Sequence, residues 1–106
     1  MSDYVQVSTT APDQETAADL ARSAVKAKLA ASAQVIGPAK NMFWHQGEYG
    51  EGEEWLVLLK TTSARYPELE GHLVDRHPWG NPEVTAIPLT AGSAPYLEWV
   101  ARTAAV

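Results

Sequence analysis

No cysteine occurs in the 106 residues, which excludes disulfides, a thiolate nucleophile and any zinc or copper site built on Cys ligands. Long apolar runs are missing too. No stretch approaches the roughly twenty residues of a membrane-spanning helix, and the opening MSDYVQVSTT has neither the basic nor the apolar region of a signal peptide. A cytoplasmic protein without a membrane partner is therefore expected. Positive charge is scarce: 8 Lys and Arg stand against 13 Asp and Glu, for a formal charge of -5. The basic residues form no stripe able to neutralise phosphates, so no nucleic acid partner is expected. Like-charge runs and low-complexity tracts are also absent, and no segment is marked for disorder. A chain of this length suits one core, and residues 1–106 are read as a single domain.

What is present falls into alternating patterns. Tyr4 to Thr10 has period two, with Val5 and Val7 on one face, and predicts a strand. Asp13 is placed as the N-cap of a helix running from Glu15 to Ala31, with Leu20, Val25 and Leu29 apolar and acids early, bases late. Ala33 to His45 reads as a strand bent or bulged near Gly37 and Pro38. The glycine-rich QGEYGEGEE, Gln46 to Glu54, reads as a hairpin loop before a strand from Trp55 to Thr61. Ser63 is expected to cap a second helix that carries Tyr66, Leu69, Leu73 and Val74 and is ended by Pro78 through its effect on His77. A last strand from Glu83 to Leu89 follows, with Pro88 favouring an edge, and Ser93 then opens a helix that buries Leu97, Trp99 and Val100.

The order βαββαβ followed by α is the split βαβ arrangement of α+β, ferredoxin-like folds, with two helices on one face of a four-stranded antiparallel sheet. The other face is left open. Trp55, Val57 and Leu59 alternate with Leu56 and Leu58, so the strand is apolar on both sides, and an exposed patch of that kind marks an interface. Burial against further copies of the chain is expected.

Four stretches carry a resemblance to a known family: STTAPDQETAADLARSAVKAKLAA from Ser8, FWHQGE from Phe43, EEWLVLLKTT from Glu53, and HPWGNPEVTAIPL running on to AGSAPYLEWV. Together they span nearly the whole chain and resemble the CutA-type divalent cation tolerance proteins. HPxxxPE before a short strand and a Tyr-Leu-x-Trp helix is the most specific of them. The resemblance implies a homotrimer packed sheet against sheet, with the central hairpin reaching into neighbours. It also implies a link to copper tolerance and copper binding, and a trimeric architecture shared with PII-type signalling proteins. Three departures stand out. Ser32 occupies the place of the family's usual Cys, His45 stands where a second aromatic is expected after Trp44, and Trp79 and Asn81 replace the more usual Tyr and Val. With no thiolate, a cation would have to be Cu(II) or Zn(II) held by imidazole and carboxylate.

The segment RHPWGNPE, Arg76 to Glu83, admits two readings. It is a corner if Pro78 stops the helix, Gly80 makes a tight or positive-φ turn, Pro82 stiffens the strand entry and Trp79 covers the bend. It is a site if His77 and Glu83 share a proton or a metal. His45, beside the hairpin, is a subsidiary metal candidate, whereas His72 is expected on the surface because its spacing to His77 is not that of two ligands on one helical face. Phe43, Trp44, Trp55, Trp79, Tyr96 and Trp99 are candidates for an intersubunit cleft or an interface core. No cofactor motif and no activated nucleophile is present. The leading expectation is a trimeric, non-enzymatic, metal-responsive protein that needs no cofactor beyond a divalent cation. The alternative is a PII-like adaptor that binds a small anion in intersubunit clefts and contacts an unidentified protein partner.

Overall fold

A computed structural model describes residues 2–105. Its elements are β1 (Tyr4–Ala11), α1 (Gln14–Lys26), β2 (Ser32–His45), β3 (Glu48–Thr62), α2 (Tyr66–Arg76), β4 (Val84–Pro88) and α3 (Ala94–Thr103). The four strands form one antiparallel sheet in the order β2-β3-β1-β4. The expected α+β, split βαβ architecture is therefore the one observed. β4 lies at the sheet edge, where Pro88 costs no ladder hydrogen bond on its outer side.

The core lies between the sheet and the first two helices. Val5, Val7 and Ala11 of β1 and Val57 and Leu59 of β3 face Ala17, Leu20 and Ala24 of α1 and Leu69 and Leu73 of α2, all buried. Alternation in β1 and β3 sends every second residue there, and period two accounts for the pattern. α3 packs on β3, where Val100 and Ala104 are buried outside this core.

Local chemistry moved three boundaries. α1 ends at Lys26, not at Ala31: Lys28 adopts φ 60, the N–H of Leu29 donates to Ala24 O at 3.0 Å and that of Lys28 to Val25 O at 2.9 Å. This is a Schellman turn with lysine where glycine is usual. It redirects Leu29, Ala30 and Ala31 into the protein, and the N–H of Ala31 then donates to Lys60 O at 2.8 Å to start the next pairing. Asp13 does cap this helix, its carboxylate accepting from the Thr16 N–H at 2.7 Å. That bond holds the Asp13 carboxyl below its usual range.

The glycine-rich segment after Gln46 is strand rather than loop. The turn is only Gln46 and Gly47, with φ 51 and 80, the two positive values a two-residue type I′ hairpin needs. Of the two remaining glycines, Gly50 makes room for a ring, whereas a Cβ at Gly52 would meet nothing within 4 Å. Phe43 lies across Gly50, where a Cβ would stand 2.8 Å from the ring. Trp55 lies over Gly37 in the same way, at the bulge between Ile36 and Ala39. At α2 the N-cap is Arg65 rather than Ser63, whose hydroxyl donates to the backbone oxygen of Ser2 at 2.6 Å. Ser93 holds the cap position of α3 without a side-chain bond.

The hairpin beyond the bulge pairs only with itself and stretches the molecule to 44 × 25 × 22 Å. Its radius of gyration is 14.3 Å, against about 13 Å for a compact chain of roughly this length.

Candidate functional site

The corner after α2 is held by His77. Pro78 forces His77 out of the helical region, to φ -74 and ψ 141, and the imidazole turns inward and is buried. Its Nδ1 accepts from the Trp79 N–H at 3.1 Å, and Nε2 faces Thr10 O at 2.6 Å. A backbone N–H can only donate, so this network assigns the proton to Nε2, which donates to Thr10. Both ring nitrogens are thus engaged inside the protein. Glu83 is exposed and its carboxylate accepts from Thr85 Oγ1 at 3.2 Å. Among the described residues no ion pair joins His77 to Glu83. Gly80 does not have positive φ, and a Cβ there would meet nothing within 4 Å.

His72 is half-buried against α1 rather than on the surface. Arg76 Nη1 lies 3.3 Å from its Nδ1 and Ser23 Oγ 2.9 Å from its Nε2. The guanidinium can only donate, which puts the neutral ring's proton on Nε2 and makes Ser23 the acceptor; the Ser23 hydroxyl donates onward to Leu20 O at 3.1 Å. In that tautomer His72 cannot take a proton from Ser23, so the pair is not an activated nucleophile. Burial and the neighbouring Arg76 charge hold the imidazole below its ordinary value, with Asp75 opposing them.

A groove of about 620 Å³ lies between the hairpin and the corner, lined by Asn41, Phe43, His45, Pro78, Trp79, Gly80 and Asn81. The structure therefore gathers Phe43, Trp79 and His45 in one place. Trp44 is elsewhere, 75% exposed and edge-on to Tyr49 at 5.8 Å near the hairpin turn. Trp55 packs against the core, and Tyr96 and Trp99 pair on α3 at 5.7 Å. His45 is exposed and lies directly across the ladder from Glu48. Sequence reasoning missed Glu48 because it placed residues 46–54 in a loop. Reading Gln46-Gly47 as a two-residue turn would have set 45 opposite 48. Among the described residues no group of three His, Cys, Asp or Glu side chains is placed to hold a metal.

A four-stranded sheet covered by two helices, with a long free β2–β3 hairpin and a histidine-clamped corner beside it, defines a ferredoxin-like α+β protein. The chain belongs to the CutA1 divalent ion tolerance protein family, whose model matches residues 5–103. Divalent-cation tolerance protein CutA of Escherichia coli is 38% identical over 91% of this chain and 86% of its own. That of Thermus thermophilus is 34% identical over 86% of this chain and 88% of its own. The crystal structure of CutA from Xylella fastidiosa superposes with a TM-score of 0.94, covering 98% of this chain and all of the other at 27% identity. These relatives are named as tolerance proteins and not as enzymes.

Proposed function

We propose that this divalent cation tolerance protein acts as a homotrimer that binds Cu(II) or Zn(II) directly, with His45 and Glu48 as the donors each chain supplies. The observation that carries the reading is their placement: an exposed imidazole and a carboxylate face one another across the ladder at the end of a projecting hairpin. Imidazole and carboxylate suit borderline and hard divalent ions, and no thiolate is available for Cu(I). Two donors from one chain fall short of the three or four that a specific site uses. The missing donors come from neighbouring copies, which makes cation binding a property of the assembly.

Assembly is supported by what a single chain leaves in water. Ile36 and Ile87 are about half exposed on the sheet, and Met42, Trp44 and Tyr49 are exposed on the hairpin face opposite Phe43. A two-stranded hairpin is only marginally stable alone, so docking against other copies is the economical way to order it. His77 enters this reading as the residue that holds the corner, not as a ligand, because binding a cation would cost it one of its two internal bonds.

Native mass spectrometry combined with a Zn(II) or Cu(II) titration tests both halves. A trimer should take up the ion saturably, and His45→Ala should weaken binding by at least about tenfold, as even outer-shell partners of metals cost that much. Undiminished binding in His45→Ala would refute the donor assignment. A monomeric wild type would refute the assembly.

A further inference from the structure

The groove between hairpin and corner has a chemistry that its metal donors do not use. Phe43 enters it from β2 and Trp79 from the corner, so two aromatic rings line one space of about 620 Å³. Both are held in place. Phe43 is seated on Gly50, and Trp79 is fixed by its backbone bond to His77 and by ring contact with that imidazole at 5.0 Å. No Lys or Arg lines the groove. Two of its lining residues are partnered by carboxylates: Glu48 is the cross-strand partner of His45, and Glu54 accepts a hydrogen bond from Asn41. The whole chain carries -5.

Ring faces bear negative potential and attract cations with loosely held hydration, and nearby carboxylates add a field of the same sign. Anions are disfavoured by that field, and a purely apolar ligand gains nothing from it. We propose that this groove binds an organic cation with a methylated ammonium head, seated between Phe43 and Trp79. This site goes beyond the divalent-cation reading and does not depend on it, since it uses ring faces and not the ring nitrogens of His45.

The test is an NMR titration of the full chain with choline chloride, following the indole N–H signals at low salt. The Trp79 signal is assigned by its loss in Trp79→Phe. The neutral isostere 3,3-dimethylbutan-1-ol and sodium chloride serve as comparisons. Choline should shift the Trp79 signal saturably, the isostere should bind about tenfold more weakly, and sodium chloride should give no saturable shift. Trp79→Ala should abolish binding, Glu48→Gln should weaken it, and Trp44→Phe should leave it unchanged. His45→Ala, which removes the proposed metal donor, should still bind choline, so the two sites fail or survive separately. Equal affinity for choline and its isostere, full binding by Trp79→Ala, or a Trp79 signal that choline does not move because another copy fills the groove would each overturn the proposal.

Discussion

The His77 imidazole ties the end of α2 to β1, donating to the carbonyl oxygen of Thr10 at 2.6 Å while its other nitrogen accepts from Trp79 at 3.1 Å. One side chain therefore satisfies a backbone group on each of two separate segments, Thr10 O at the end of β1 and the Trp79 N–H after Pro78. His77→Ala should lower unfolding stability by about 1–3 kcal/mol, the usual cost of stranding buried polar groups. Urea denaturation measures this. Because the groove wall rests on the same bonds, the indole signal of Trp79 should move in the variant even under native conditions.

A second histidine makes stability respond to pH. His72 is held below its ordinary 6.5 by burial first and by Arg76 second. As pH falls the unfolded chain takes up the proton before the folded one does. The contribution is therefore complete above about 6.5 and is lost progressively as pH falls from there towards the lower folded value. Urea midpoints of the wild type and His72→Gln, compared between pH 7.5 and 5, should show the steeper acid loss in the wild type. Parallel curves would count against the assignment.

Lys28 occupies a left-handed position, φ 60, at the end of α1. Its Cβ costs about 1 kcal/mol there, and the neighbouring contacts, including the bond from Arg65 Nη2 to Lys28 O at 3.2 Å, involve only backbone atoms of Lys28. Lys28→Gly should leave stability unchanged or raise it by up to about 1 kcal/mol, since removing the Cβ relieves strain but loosens the unfolded chain. Lys28→Val should destabilise. Thermal melts of the pair give the sign.

Two glycines should respond in opposite directions. Gly71 is in α2 with nothing within 4 Å of a built Cβ, so Gly71→Ala should stabilise by about 0.5–1 kcal/mol. Gly37→Ala would drive a methyl to 2.8 Å from the Trp55 ring and 3.2 Å from Glu54 O, and should cost about 1–3 kcal/mol. Chemical denaturation of both variants checks the contrast.

The order of elements, the core faces of β1 and β3 and the Leu69 and Leu73 face of α2 could be read from period two and period 3.6, because burial imposes those periods directly. Val74, expected on that face, is exposed, and of Leu97, Trp99 and Val100 only Val100 is fully buried. Lys28 hid the end of α1, since the left-handed turn is set by the tertiary pull on Leu29 and not by a glycine. The segment from Glu48 to Glu54 looked like a loop because glycine usually breaks ladders, whereas Gly50 is needed for the ring of Phe43. At the site, the sequence supplied His77, Glu83 and His45 as candidates. It could not say that His77 turns inward, which depends on Thr10 being brought alongside from the far end of the chain, nor that His45 faces Glu48, which depends on the register of the turn.

β1 occupies an inner position of the sheet although it comes first in the chain. Val5 has Thr61 on one side and Pro88 on the other, so the first strand made waits for partners made much later. In a nascent chain β1 meets its first partner only once β3 has emerged and its second only once β4 has, and late, long-range closure of this kind is slow. The same arrangement makes β1 a keystone: a peptide of that strand, added to the rest of the chain, holds the information needed to complete the fold in trans.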